Sequence, residues 1–112
     1  MGQITTHILD TSAGKPASGV DIELAQQDGD GWTVLATGTT NNDGRADPLE
    51  DGISLPAGTY RLRFEIAGYF SARSLDCFYP YVEISFRIAG DGQHYHVPLL
   101  LNPYGYSTYR GS

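Results

Sequence analysis

The sequence predicts an all-β domain of layered strands, a sandwich or a barrel, with one short helical stretch. Three observations carry that reading. Apolar and polar residues alternate in three separate runs, the pattern of a strand with one buried and one wet face. Clusters of Gly, Asn and Asp recur about every 8 to 12 residues, where chain reversals need backbone freedom. Tyr69 to Leu75 alone breaks the rhythm, and its apolar residues suit one face of a two-turn helix stopped by Pro80 downstream.

The elements follow in chain order. Ile4 to Leu9 interleaves Thr and His with Ile and Leu and reads as an opening strand. Val20, Ile22 and Leu24 alternate with Asp21 and Glu23 in the first clean strand. Asp28-Gly29-Asp30-Gly31 then turns the chain into Trp32 to Thr40, and Asn41-Asn42-Asp43-Gly44 turns it out again. Tyr60, Leu62, Phe64 and Ile66 alternate with Arg61, Arg63 and Glu65, and Val82, Ile84, Phe86 and Ile88 with Glu83, Ser85 and Arg87. Ala89-Gly90-Asp91-Gly92 precedes a strand carrying His94 and His96. Pro98 suits an edge or an irregular position there, and Leu99 to Leu101 suit core or interface.

The chain of 112 residues fits a single domain over its whole length, 1–112. A net charge of −6 and seven scattered Lys and Arg argue against nucleic acid. A small anion remains compatible, because a local cationic pocket can focus potential on an acidic protein. Cys77 is the one cysteine, so no intrachain disulfide forms and a reducing, cytoplasmic setting is expected. The aromatic neighbours of Cys77 suit a packed thiol. No basic-then-apolar leader and no long apolar run is present, so no membrane is expected as a partner.

His94 and His96 are two residues apart on a strand, so their side chains leave one face about 7 Å apart. His7, on the opening strand, can join them. Three imidazoles are also a conceivable zinc set with an open fourth position, but nothing nearby has metal-ligand spacing and no metal or cofactor is expected. Arg45 leaves a tight turn, where its fixed fork of donors suits planar carbonyl or anionic oxygens. Tyr109-Arg110-Gly111-Ser112, with Tyr104 and Tyr106 upstream, is too well furnished for a frayed tail and is expected to dock. A nucleophile elbow, a phosphate-binding glycine loop, a Cys-x-x-Cys pair and a dinucleotide fingerprint are all missing. The acidic residues Asp43, Asp47, Glu50 and Asp51 lack the order of a calcium loop.

With these residues assembled, the chain resembles the transthyretin-like family, in particular its 5-hydroxyisourate hydrolase branch. The resemblance runs nearly end to end through Thr6-His7-Ile8-Leu9-Asp10, Gly14-Lys15-Pro16-Ala17, Asn42-Asp43-Gly44-Arg45, Gly58-Thr59-Tyr60-Arg61-Leu62 and His94-Tyr95-His96-Val97-Pro98-Leu99-Leu100. It closes on Tyr106-Ser107-Thr108-Tyr109-Arg110-Gly111-Ser112, whose final Tyr-Arg-Gly-Ser is the signature of the hydrolase branch and is missing from the hormone carriers of the same fold. Cys77-Phe78-Tyr79-Pro80 departs from the usual pair of phenylalanines before the proline, away from the site.

The resemblance implies a two-sheet transthyretin-like (prealbumin-like) β-sandwich with a short helix at Tyr69 to Leu75. It also implies a homotetramer whose sites lie at the dimer–dimer interface. It implies hydrolysis of 5-hydroxyisourate to 2-oxo-4-hydroxy-4-carboxy-5-ureidoimidazoline, with His7, Arg45, His96 and Ser112 as catalytic residues and Tyr109, Arg110 and Gly111 as substrate-binding ones. Either His7 or His96 can be the base, since a neutral imidazole accepts a proton near neutral pH. Two other classes stand beside this one: a carrier holding an aromatic ligand in the same channel, and an accessory module binding proteins through its edges. Neither needs imidazoles facing an arginine.

Overall fold

A computed structural model describes residues 2–112. Two antiparallel-rich sheets pack face to face around one core. The first combines β1 (Ile4–Asp10), β2 (Lys15–Pro16), β5 (Arg45–Ala46), β8 (Tyr95–Asn102) and β9 (Gly105–Thr108). Its strand order is β2-β1-β8-β9, with β5 also pairing to β1. The second runs β4 (Gly31–Thr39), β3 (Asp21–Asp28), β6 (Gly58–Phe64) and β7 (Val82–Ile88). The β1–β8 pair is parallel and the other strand pairs are antiparallel.

The alternation seen in the sequence is the alternation of burial. Ile22, Leu24, Leu62, Phe64 and Val82 turn inward from the second sheet and meet Ile4, Ile8, Leu99 and Leu101 from the first. Each such side chain, fully removed from water, contributes about 1.5–3 kcal/mol. No helix among the described residues is long and apolar enough to cross a membrane.

Two boundaries differ from the sequence reading. The helix α1 spans Ile66–Ser71, not Tyr69 to Leu75, and the preceding strand ends at Phe64. Ile66, Tyr69 and Phe70 are its buried residues. That spacing of three and four places them on one helical face, so Ile66 serves the helix although it also continues the strand alternation. Beyond the helix the chain turns: Leu75 N–H bonds back to Phe70 O at 3.0 Å, and Ser74 adopts φ +56°. The Tyr69 hydroxyl donates to Asp10 at 2.7 Å and ties α1 to the end of β1. Burial acts to raise the Asp10 carboxyl, but hydrogen bonds from Ser12, Tyr69 and the Ser12 and Ala13 amides hold it below the ordinary value. Burial and this bond to Asp10 push the Tyr69 phenol up to about 12. The histidine strand, β8, begins at Tyr95, which leaves His94 one residue before it.

Candidate active site on the outer face of the five-stranded sheet

Strand register gathers the site. Thr5 lies opposite His96 and His7 opposite Pro98 across the β1–β8 pair, and Arg45 lies opposite His7 across the β1–β5 pair. Paired residues project to the same side of a sheet, so Thr5, His7, Arg45 and His96 share the outer face. Ile4, Ile8, Val97 and Leu99 leave the same strands toward the core. A slip of one residue would exchange the two sets, so the buried face enforces the arrangement of the wet one.

The turn before Arg45 is built to deliver it. Asn41 Oδ1 accepts from the amides of Asp43 and Arg45 at 2.9 and 3.1 Å, while Asn41 N–H donates to Arg45 O at 2.9 Å. Gly44 has φ +73°, and a Cβ there would lie 2.5 Å from Ile8 O. Only glycine therefore lets the turn close onto β1. Arg45 is exposed and makes no ion pair among the described residues.

The imidazoles are held unequally. Thr5 Oγ1 sits 2.8 Å from His96 Nδ1 and 3.0 Å from His94 Nε2, and His94 Nδ1 sits 3.2 Å from Gly2 O. His7 has no hydrogen-bond partner among the described residues and is half-buried. Burial lowers the His96 pKa, and the positive charge of Arg45, with that of His7 and His94 whenever they are protonated, lowers it further against a hydrogen bond with the Thr5 backbone. A neutral imidazole near an unpaired guanidinium can accept a proton while the cation holds a nearby oxyanion.

The Tyr109-Arg110-Gly111-Ser112 segment docks beside His96. The β8–β9 pairing, with Thr108 opposite Leu99, continues to an isolated bridge between His96 and Gly111. Gly111 N–H donates to His96 O at 2.8 Å, and Thr108 Oγ1 donates to Pro98 O at 2.7 Å. A Cβ on Gly111 would lie 2.5 Å from His96 Cδ2 and 3.2 Å from Pro98 Cγ. Arg110 Nη2 donates to Gln93 Oε1 at 2.6 Å, and its guanidinium stacks 4.5 Å from the Tyr95 ring centre. Tyr109 and Ser112 are exposed at the rim.

The structure thus brings His7, Arg45, His96 and Gly111 together and uses Arg110 to fasten the segment that carries Gly111. A cleft of about 220 Å³ lined by Thr5, Asn41, Arg45 and Asp47 adjoins them. A larger groove of about 350 Å³, lined by Ile84, Phe86, Tyr95 and Arg110 among others, contains no histidine. No group of three His, Cys, Asp or Glu side chains among the described residues is disposed to hold a metal ion. His94 and His96 instead turn ring nitrogens to the Thr5 hydroxyl. Thr5 and Asn41 are the contributors that the sequence reading missed. Thr5 was within reach, since it lies two residues before His7 and so on the same face.

Residues 4–111 match the model of the HIUase/Transthyretin family. The chain is 48% identical over 109 residues to 5-hydroxyisourate hydrolase of Salmonella dublin, covering 97% of this chain and 80% of that one. It is 44% identical over 111 residues to the mouse 5-hydroxyisourate hydrolase, covering 97% and 94%. Among solved structures, 5-hydroxyisourate hydrolase of Klebsiella pneumoniae superposes with a TM-score of 0.85 at 39% identity, covering 97% of this chain and 98% of that one. Sea bream transthyretin, in complex with thyroxine, superposes with a TM-score of 0.90 at 33% identity, covering 97% and 94%. A match spanning both sheets and both chain segments that meet at His96 leaves one assignment: the chain belongs to the HIUase/transthyretin family.

Proposed function

We propose that this chain is a 5-hydroxyisourate hydrolase, forming 2-oxo-4-hydroxy-4-carboxy-5-ureidoimidazoline without metal or cofactor. The observation that carries the reading is the gathering of His7, His96 and an unpaired Arg45 on one outward face, in a chain similar to hydrolases of that name. Water attacks a ring carbonyl and an amide-type C–N bond opens. His96, kept neutral by burial and by neighbouring positive charge, takes the water proton at its free Nε2. His7, across the strand pair, stands where it can return a proton to the leaving nitrogen. Arg45 holds the oxyanion that develops on the attacked carbonyl and then the carboxylate formed from it. Gly111 admits the tail beside His96, Arg110 anchors it, and Tyr109 and Ser112 contact the substrate.

The assembly in this reading is a homotetramer with the site at the dimer–dimer interface. His7 and His96 lie on an open sheet face, and a second chain facing it would exclude water and supply the missing wall. The unpaired edges of β7 and β9 are suited to pairing with another copy. A cytoplasmic setting agrees with the single free thiol, Cys77.

Carriage of a ligand is the second reading, favoured by the superposition on sea bream transthyretin. The polar face argues against it, since passive binding has no use for an imidazole with a lowered pKa beside an unpaired guanidinium. The decisive experiment follows the ultraviolet decay of freshly generated 5-hydroxyisourate. Purified protein is expected to accelerate it, and decay at the buffer rate by folded protein would overturn the reading.

A further inference from the structure

We infer that Thr5 and His94 are positioning residues that lock His96 in the tautomer with a bare Nε2, through a hydrogen-bond chain that starts at the Gly2 carbonyl. The inference rests on His96 as the proton acceptor of the proposed hydrolysis and extends it to two residues outside the reacting group.

The direction of the chain follows from which atoms can donate. A backbone carbonyl only accepts, so His94 Nδ1, 3.2 Å from Gly2 O, carries the proton of that contact. In neutral His94 the other nitrogen, Nε2, then has only a lone pair to offer. The Thr5 hydroxyl, 3.0 Å away, donates to it. A hydroxyl has one proton, so toward His96 Thr5 can only accept, and His96 Nδ1, 2.8 Å away, is the donor. His96 therefore has its proton on Nδ1 and a lone pair on Nε2, assigned from the network of partners.

The fold holds both ends of this chain in place. Thr5 is buried, with 9% exposure, and is set opposite His96 by the parallel pairing. The Gly2 amide is bound by both carboxylate oxygens of Asp47, at 3.0 and 2.8 Å, so the carbonyl that starts the chain is fixed by the loop following β5. The result has the logic of an orienting partner behind a catalytic imidazole, with a hydroxyl and a second imidazole in place of a carboxylate. A neutral relay adds no negative charge, so it orients His96 without raising its pKa as a carboxylate would.

The test uses the full chain labelled with ¹⁵N-histidine, whose ring shifts report which nitrogen carries the proton, together with steady-state kinetics on 5-hydroxyisourate. Wild type is expected to hold His96 protonated on Nδ1. Thr5→Val, nearly isosteric, and His94→Phe are expected to shift His96 toward the Nε2-protonated form. In both, kcat should fall about 10- to 100-fold, the range in which orienting partners of functional histidines act. KM should stay within about twofold, because the substrate contacts remain. Thr5→Ser should restore both the tautomer and kcat, which a merely structural role for the threonine methyl would not allow. An Nε2-protonated His96 in wild type overturns the inference. So does an unchanged tautomer in folded Thr5→Val, or a shifted tautomer with unchanged kcat. If wild type lacks hydrolase activity, the functional reading fails and the role assigned to Thr5 and His94 in it fails too, whereas the spectra still decide the hydrogen-bond chain separately.

Discussion

The outer faces of the two sheets are built from the same alternation and carry opposite kinds of polarity. On the four-stranded sheet Arg61 and Arg63 have carboxylates nearby: Arg61 meets Glu83 at 3.4 Å and Glu23 at 4.0 Å, and Arg63 meets Glu83 at 3.5 Å and Glu65 at 2.5 Å. On the five-stranded sheet, Arg45 and the histidines make no ion pair among the described residues, and His94 and His96 are held by a hydroxyl instead. A guanidinium already matched by carboxylates has little left for a substrate anion, whereas an unmatched one has its donors free. Charge count alone thus misjudges both surfaces. In the proposed hydrolysis the face with fewer charges is the one that carries the chemistry.

The sharpest way to break this contrast is to remove the base from one face and a charge from the other. His96→Ala is expected to lower kcat about 10²- to 10⁴-fold, the usual worth of a positioned general base, with the folded circular dichroism spectrum retained. Glu23→Ala on the opposite sheet should leave kcat unchanged. Equal losses in the two variants would dissolve the distinction between the faces.

Next in size is the unpaired cation. Arg45→Gln is expected to cost about 10²- to 10³-fold in kcat/KM, as for loss of an oxyanion donor, and single-turnover measurements would place the loss in the chemical step. Gly111→Ala follows. Its new methyl would collide with the His96 ring and Pro98, so the tail must shift or the ring must turn. About a tenfold loss of kcat is expected, at a stability cost of about 1–3 kcal/mol for the overpacking. Alanine at that position with wild-type kcat would mean that contact between the tail and His96 is irrelevant to turnover.

These variants also mark what was legible in the sequence. The strands could be read because each buries one face, and the alternation at Ile22 and Leu24 or Leu62 and Phe64 records that directly. The helix was misplaced by three residues at its start because Ile66 satisfies both the strand period before it and the helical period after it. Of the site, His7, Arg45, His96 and the tail were visible as residue types, and resemblance supplied their grouping. Thr5 was visible only as a residue on the same strand face as His7. Its importance comes from register, which sets it opposite His96, and register is a property of two strands separated by about 90 residues of chain. Gly111 was visible as part of a motif, but its physical reason, a Cβ with nowhere to go, exists only in three dimensions.

A smaller effect separates the faces by pH. Burial and the positive charge of Arg45, with that of His7 and His94 whenever they are protonated, lower the His96 pKa, so its midpoint in an NMR titration should lie below 6.5. The base works when neutral, so the acid limb of kcat/KM should follow that lowered midpoint. The same depression makes the unfolded chain take up the proton first. His96 therefore costs stability as pH falls through the ordinary imidazole value toward the folded one. Arg45→Gln should move the midpoint upward, whereas Glu23→Ala should not move it. A midpoint at or above 6.5 would remove the electrostatic link between Arg45 and His96.

The smallest expected effect lies on the matched face. Arg61 stacks 4.5 Å from the Trp32 ring centre and approaches two carboxylates, yet its Nε is buried without a hydrogen-bond partner. Partly exposed ion pairs contribute about 0–1 kcal/mol and a cation–π contact at such a site about 0.5–1 kcal/mol. An unsatisfied buried donor costs about 1–3 kcal/mol, so the opposing terms nearly cancel. Arg61→Leu removes the stacking on Trp32, the ion pairs and the orphaned N–H together. Its denaturation midpoint should correspond to a change within about 1 kcal/mol, with kcat/KM unaltered. A loss above about 3 kcal/mol would mean that the ladder of charges on this sheet acts as a cooperative network, and the face would no longer be the inert member of the pair.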